Sequence, residues 1–225
     1  MKTFVYVGVA LLAAAAGSGI YHYAIAPRIS PQTASQPGAS ARPPAAAPAN
    51  TSEPAHAGIP DVLPEFTLTD LEGAQRSIRS WPGKSMIVNF WATWCAPCRR
   101  EIPLLREIQR QHGDEGFQLV GVAVDFREDV EKYAREIGID YPVLVGEQDG
   151  LDAVTKFGQG SLGFPFTVFT DNQHRIVVFH VGELKEAETD VLLEAVRQVN
   201  RGELTPEAAR TVAAKQLAAL DGAEA

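Results

Sequence analysis

Cys95 and Cys98 are the only thiols in this chain of 225 residues. They lie in the segment Trp-Cys-Ala-Pro-Cys, between an apolar run typical of a strand and the start of a helix. Because there is no third thiol, the two cysteines can bond to each other, bind a metal ion or react with a partner. The Cys-x-x-Cys spacing alone does not decide between these chemistries, since half of a zinc site has the same spacing.

The spacing suits a redox pair. Two intervening residues in the first turn of a helix bring the sulfur atoms together and place the first of them at the helix N-terminus. Unpaired backbone N–H groups and the helix dipole stabilise a thiolate there, which lowers its pKa from the ordinary value of about 8.5. We therefore predict that Cys95 is the nucleophile and that Cys98, which is less exposed, resolves the mixed disulfide.

The N-terminal part of the chain has the composition of a membrane anchor followed by a tether. Lys2 precedes an apolar run over residues 4–26 that is about long enough to cross a bilayer, so residues 1–26 are predicted to be a signal-anchor. A cleaved signal peptide is the alternative, because Ala-x-Ala patterns occur within this run. Both interpretations predict export. Residues 27–60 contain eight of the fifteen prolines and few large apolar side chains, which predicts a flexible tether.

The remaining chain is long enough for one ordinary domain, predicted over residues 61–200, with a tail over 201–225. From Asp61 onward there are 17 basic and 27 acidic residues, a net charge of −10. No basic block indicates a nucleic acid or an anionic membrane surface as a partner.

Strand and helix patterns alternate through this domain. Four short apolar runs have the composition of buried strands: 86–91, 119–124, 166–169 and 176–179. A turn-rich connection over 171–174 predicts an antiparallel hairpin from the last two runs. Apolar residues recur at helical spacing over 130–137 and 191–199. The pattern predicts an α/β domain with a mixed central sheet.

Two further elements are predicted at the ends of this domain. Residues 65–78, with Leu-Glu-Gly at their centre, indicate an additional N-terminal hairpin. Thr205 has the character of a helix N-cap, and Pro206 suits the first helical position. A terminal helix is therefore expected to run from there through Leu217, with an Ala-rich apolar face.

The segment 88–98, Val-Asn-Phe-Trp-Ala-Thr-Trp-Cys-Ala-Pro-Cys, followed by Glu101 and Pro103, resembles the active-site segment of the TlpA/ResA group. These proteins are membrane-tethered, thioredoxin-like thiol-disulfide oxidoreductases. The similarity extends over about residues 62–200 and includes Gly-Phe-Pro at 163–165. The resemblance implies a thioredoxin-like fold with a central mixed sheet flanked by helices, an N-terminal hairpin, and an inserted helix and strand near 128–145.

The resemblance also implies a substrate-binding surface beside the cysteines. In thioredoxin-like folds a cis proline precedes the penultimate strand and lies next to the two sulfurs, and Pro165 occupies that place. The backbone of Phe164 would then pair with an extended substrate segment. Trp94 is expected to be partly exposed and to contribute to the same surface, whereas Trp91 is expected to lie in the core.

Cys98 also needs a proton acceptor. Thioredoxins carry a buried aspartate where this chain has Asn89, so that base is missing. Glu101, three residues after Cys98, lies on the same face of the predicted helix. Burial would raise its pKa and suit it to exchange a proton with Cys98, whereas a surface carboxylate would have no such role.

The implied function is reduction of disulfides in exported proteins, with no cofactor other than the redox-active pair Cys95 and Cys98. Family resemblance suggests apocytochrome c or copper-site cysteines as targets and a membrane thiol carrier as electron donor. It places the protein at the bacterial inner membrane, facing the periplasm, with a soluble periplasmic form if the leader is cleaved. A periplasmic oxidant or isomerase is an alternative.

Other classes of protein fit the residues less well. A metal-binding chaperone would need ligands beyond the two cysteines, and the five histidines are scattered without metal-ligand spacing, so no metal site is predicted. A peroxiredoxin-type peroxidase would need threonine at the position of Ala92. A non-catalytic adaptor of the same fold would be expected to have lost a thiol, and both are present.

Overall fold

A computed structural model of the chain describes residues 58–158 and 163–223. The strands in these residues are β1 (Thr67–Asp70), β2 (Gln75–Ser77), β3 (Ser85–Trp91), β4 (Phe117–Val124), β5 (Val143–Gly146), β6 (Phe166–Thr170) and β7 (Ile176–Val181). The helices are α1 (Ala96–His112), α2 (Arg127–Ile137), α3 (Gln148–Thr155), α4 (Glu186–Asn200) and α5 (Pro206–Ala223). The strands form one mixed sheet in the order β2-β1-β5-β4-β3-β6-β7.

The centre of the sheet is the parallel pair β3 and β4, with β5 parallel to β4 on one side and β6 antiparallel to β3 on the other. Every residue of β3 is buried, as a strand covered by helices on both faces requires. The predicted hairpin of β6 and β7 is confirmed, with Phe166 opposite Val181. This arrangement confirms the predicted α/β, thioredoxin-like architecture.

The predicted N-terminal hairpin is also present, as β1 and β2. It is not a separate extension, because β1 pairs antiparallel with β5 and so continues the central sheet. The inserted helix and strand near 128–145 correspond to α2 and β5.

One helix was not predicted, and the end of another needs correction. Helix α3 was not expected; it is only eight residues long, too short for a clear apolar period. The terminal helix α5 does not end at Leu217 but continues to Ala223, because the alanine-rich sequence after Leu217 contains no helix-breaking proline.

Helix α5 packs on the domain through its small residues. Ala209 and Ala213 are buried in the same apolar core as α4. Arg210 donates hydrogen bonds to the backbone carbonyls of Ile176 (2.9 Å) and Val177 (3.3 Å) in the edge strand β7. Part of the exposed edge of the sheet is thereby hydrogen-bonded by the helix.

An aromatic cluster fills the core on one face of the sheet. The Phe90 and Phe166 rings stack with centroids 4.4 Å apart, and Phe157 meets Phe90 edge-on at 5.3 Å. Phe179 stacks on Phe166 at 5.2 Å. Because Phe166 immediately follows Pro165, this cluster supports the strand end beside the cysteines.

The predicted signal-anchor (1–26) and nearly all of the predicted tether (27–60) lie outside the described residues. In residues 58–158 and 163–223, no helix combines the length and the apolar character needed to span a membrane.

Replacing Phe90 by alanine tests the aromatic cluster. Because Phe90 is fully buried, Phe90→Ala should reduce the free energy of unfolding by about 3–5 kcal/mol in a denaturant titration. The matched control is Phe126→Ala, which removes a ring that is 62% exposed and should change stability by less than about 1 kcal/mol. Equal effects of the two substitutions would show that Phe90 does not support the core.

Candidate active site

The two cysteines lie where the central strand β3 passes into helix α1. Cys95 is the N-cap of α1: its backbone is extended, and its sulfur accepts a hydrogen bond from the Cys98 N–H at 3.3 Å. Cys95 and Cys98 form a disulfide bond. Cys95 is 5% exposed and Cys98 is fully buried, so the first sulfur is the one a partner reaches more readily.

The electrostatic surroundings of Cys95 favour a thiolate. No acidic residue lies in the first turn of α1, and the next residues after Cys98 are Arg99 and Arg100. The helix N-terminus therefore presents its N–H groups and positive dipole end to the sulfur. These are the conditions that lower a cysteine pKa.

Glu101 lies one turn after Cys98 and is buried, with 1% of its surface exposed. Its Oε1 accepts a hydrogen bond from Asn89 Nδ2 and its Oε2 accepts one from the Leu184 N–H, both at 2.7 Å. Burial raises the pKa of Glu101 to about 7; the two hydrogen bonds oppose this shift, and the nearby charge of Glu183 adds to it. A carboxyl group with this pKa can accept or donate a proton near neutral pH.

Asn89 lies between Glu101 and the cis-proline strand. Besides binding Glu101, its Nδ2 donates to Thr167 Oγ1 in β6 at 3.0 Å. Its buried Oδ1 has no hydrogen-bond partner. Asn89 therefore supplies one of the two donors from which the Glu101 carboxyl group accepts, and it ties that group to β6.

The segment after β7 connects Glu101 to the proline. Gly182 N–H donates to the carbonyl of Pro165 at 2.9 Å, and Leu184 N–H donates to Glu101. Between them, Glu183 forms a bidentate ion pair with Arg100 of α1. Three consecutive residues therefore hold the first turns of α1 against the start of β6.

Trp94 follows β3, and Phe164 and Pro165 precede its neighbour β6, so the residues predicted to bind substrate lie at the same edge of the sheet as Cys95. The Phe164–Pro165 peptide bond is cis, as the resemblance implied, and Pro165 is buried at the start of β6. Trp94 is 69% exposed, and its ring centroid lies 6.1 Å from that of the partly buried Phe164. Trp91, in contrast, is fully buried in the core, as expected.

Comparison with known proteins places this geometry in a family. The family model described as "AhpC/TSA family" matches residues 59–179, more than half of the chain. The chain belongs to the AhpC/TSA family. The matched region includes Cys95, Cys98, Glu101 and Pro165, whereas Gly182, Glu183 and Leu184 follow it.

Individual relatives of this AhpC/TSA-family chain are thioredoxin-like. The chain is 29% identical over 140 residues to "Thiol-disulfide oxidoreductase ResA" of Geobacillus thermodenitrificans, covering 62% of this chain and 78% of the relative. It is 31% identical over 137 residues to "Thioredoxin-like protein YneN" of Bacillus subtilis, covering 58% of this chain and 76% of the relative. The predicted resemblance is confirmed, and the chain is an enzyme of the thiol-disulfide oxidoreductase class.

A solved structure shows the same fold. The structure described as a thiol:disulfide interchange protein of the thioredoxin family, from Chlorobium tepidum TLS, is 32% identical, with a TM-score of 0.55. The match covers 61% of this chain and 96% of that one.

The sequence analysis missed one part of this site. Asp125, at the end of β4, accepts hydrogen bonds on Oδ2 from Thr93 N (2.9 Å) and Thr93 Oγ1 (2.5 Å). This carboxylate fixes the loop that carries Trp94 and Cys95. The signal was available, because β3 and β4 are neighbouring parallel strands and polar residues that follow such strands meet at one edge of the sheet.

The described residues offer no alternative metal centre. In the ranges 58–158 and 163–223, no group of three or more His, Cys, Asp or Glu side chains is placed to hold a metal ion.

The raised pKa of Glu101 makes a signed prediction about stability. Between pH about 4.5 and about 7, the Glu101 carboxyl group is ionised in the unfolded chain but keeps its proton in the folded chain. Raising the pH through this window therefore lowers the free energy of unfolding. Glu101→Gln removes this dependence and keeps the shape of the side chain. Between pH 4.5 and 7, the free energy of unfolding of the variant should therefore rise by up to about 3 kcal/mol relative to that of wild type.

Urea titrations across that pH range measure the difference. Glu107→Gln, on the more exposed side of the same helix, is the matched control and should not show a gain of that size. A difference between wild type and Glu101→Gln that does not vary with pH would contradict the assignment.

Proposed function

We propose that this chain reduces disulfide bonds of exported proteins on the outer side of the bacterial inner membrane. The observation that carries the proposal is a Cys95–Cys98 disulfide at the N-terminus of α1, with the buried Glu101 carboxyl group one turn behind it. The apolar segment at 4–26 supports export and anchoring, and the name of the ResA relative supports disulfide exchange.

The first step forms a mixed disulfide. The Cys95 thiolate attacks one sulfur of the substrate disulfide, a new bond joins the two sulfurs, and the second substrate sulfur leaves as a thiolate and takes a proton from solvent. The exposed Trp94 and the partly buried Phe164 flank the place where the substrate sulfur must arrive. The backbone next to Pro165 pairs with the substrate segment as an added strand.

The second step releases the substrate. Cys98 gives its proton to the Glu101 carboxylate and attacks the sulfur of Cys95, which closes the Cys95–Cys98 bond and frees the other substrate thiolate. The substrate has then gained two electrons and the protein has lost two. A membrane thiol carrier returns the pair to the dithiol state. The targets we propose are cysteines that must be reduced before apocytochrome c maturation or copper binding.

Trapping the mixed disulfide tests this function. In cells that produce the full chain, Cys98→Ser should accumulate exported proteins bound to Cys95, because the resolving thiol is absent. Alkylation followed by non-reducing electrophoresis and mass spectrometry identifies them. Cys95→Ser is the matched control and should capture none.

The same alkylation assay on the wild-type chain tests the direction of exchange. A reductase should be found mostly with free thiols at Cys95 and Cys98. A chain found mostly as the disulfide in cells would overturn the reductase assignment and favour an oxidant. Equal capture by the Cys98→Ser and Cys95→Ser variants would overturn the assignment of Cys95 as the nucleophile.

A further inference from the structure

Exposed aromatic residues are concentrated at the active site. Among the described residues, the exposed large apolar side chains are Val62, Trp94, Phe126, Leu151, Val181 and Val212. The two aromatic residues in this set are Trp94 and Phe126, which are 69% and 62% exposed. Trp94 adjoins Cys95, and Phe126 has no part in the mechanism above.

One carboxylate binds the backbone of Phe126 and that of the residue before Trp94. The strands β3 and β4 are parallel, with Trp91 opposite Ala123, so the chain leaves both strands at the same edge of the sheet. Asp125 Oδ2 accepts from Thr93, the residue before Trp94, while its Oδ1 accepts from the N–H of Phe126 at 2.8 Å. The backbones that carry the two exposed rings are therefore fixed to the same side chain.

Phe126 lies at one end of a row of apolar side chains across this edge. In the sheet order β4-β3-β6-β7, Phe126 follows β4, Trp94 follows β3, Phe164 precedes β6 and Val181 ends β7. Three inter-strand spacings separate the ends of the row, roughly 14 Å. An extended peptide of about four or five residues, at about 3.3 Å per residue, spans that distance.

We infer that Phe126 is a specificity-determining residue that binds a large apolar side chain next to the reacting cysteine of an extended, unfolded substrate segment. This inference rests on the proposed function. The row includes Trp94, the residue before Cys95, and Phe164, the residue before Pro165, so a substrate segment bound at both positions lies across the strand ends that carry the row. A folded partner buries most of its large apolar side chains, whereas an unfolded segment presents them beside its cysteine.

The position of Phe126 predicts a preference for an apolar side chain on only one flank of the substrate cysteine. Cys95 lies near the middle of the row, with Phe126 on the β4 side and with Phe164 and Val181 on the other side. A substrate side chain on one flank of the cysteine therefore meets Phe126, and the side chain on the opposite flank does not. A purely structural role of Phe126 would not produce this asymmetry.

A peptide series tests the inference with the full chain in its reduced form. Each peptide carries one cysteine as a mixed disulfide with thionitrobenzoate, whose release is followed by its colour. One peptide has serine on both flanks of the cysteine, and two others have leucine on the preceding or the following flank. In a single turnover with the reduced wild-type chain in excess, leucine on one flank should raise the second-order rate constant for thionitrobenzoate release about tenfold over the serine peptide.

Phe126→Ala should abolish the preference for leucine at that flank without changing the rate of reaction with the serine peptide. Phe126→Leu should keep most of the preference for leucine. Val212→Ala, which shortens an exposed side chain on α5, is the matched control and should keep the full preference. An equal loss on all three peptides, or an unchanged preference in Phe126→Ala, would overturn the inference.

Two further outcomes are separable. If Phe126 serves contact between two copies of this chain, sedimentation of the wild type shows a dimer that Phe126→Ala abolishes, and the inference is overturned. If wild type reacts with none of the peptides, the proposed function fails, and the inference fails with it. That failure shows in the wild type alone, whereas failure of the inference shows in the comparison of variants.

Discussion

The burial of one carboxyl group constrains the geometry of the whole site. Glu101 lies in the apolar core, where an ionised group without partners would cost several kcal/mol, so it requires donors at fixed positions. Asn89 of β3 and the backbone of Leu184 after β7 provide them, each at 2.7 Å. Asn89 also binds Thr167 in β6. The position of α1, and therefore of Cys98, is tied to two strands and to the segment after β7 through this one group.

The same constraint separates the roles of the two cysteines. Cys95 caps the helix at the edge of the sheet, where Trp94 and Phe164 are accessible to a partner, whereas Cys98 is fully buried on the side of Glu101. In the proposed mechanism, chemistry with a substrate would therefore take place at the edge, and proton transfer would take place behind it. The ion pair between Arg100 and Glu183 joins α1 to the segment after β7, which also binds Glu101.

Local patterns in the sequence were sufficient to predict the strands other than β5, the helices other than α3 and the cysteine pair, because continuous apolar runs and Cys-x-x-Cys spacing are local signals. The strand β5 was expected from the resemblance. The resemblance carried by residues 88–98 added the cis bond before Pro165 and drew attention to Glu101. The contacts that span long stretches of chain were not predictable in this way. The pairing of Asp125 with Thr93 and of Leu184 with Glu101 depends on which strands become neighbours, and α3 is too short to show a clear period.

The central claim is that the Glu101 carboxylate accepts the proton of Cys98 when the mixed disulfide is resolved. Stopped-flow measurement of that second step, in wild type and Glu101→Gln from pH 5.5 to 8.5, tests it most directly. The two rates should be similar below pH about 6, and the wild-type rate should exceed the variant's by about tenfold or more above pH 7, where Glu101 is ionised. Profiles that run parallel across the whole range would contradict the claim.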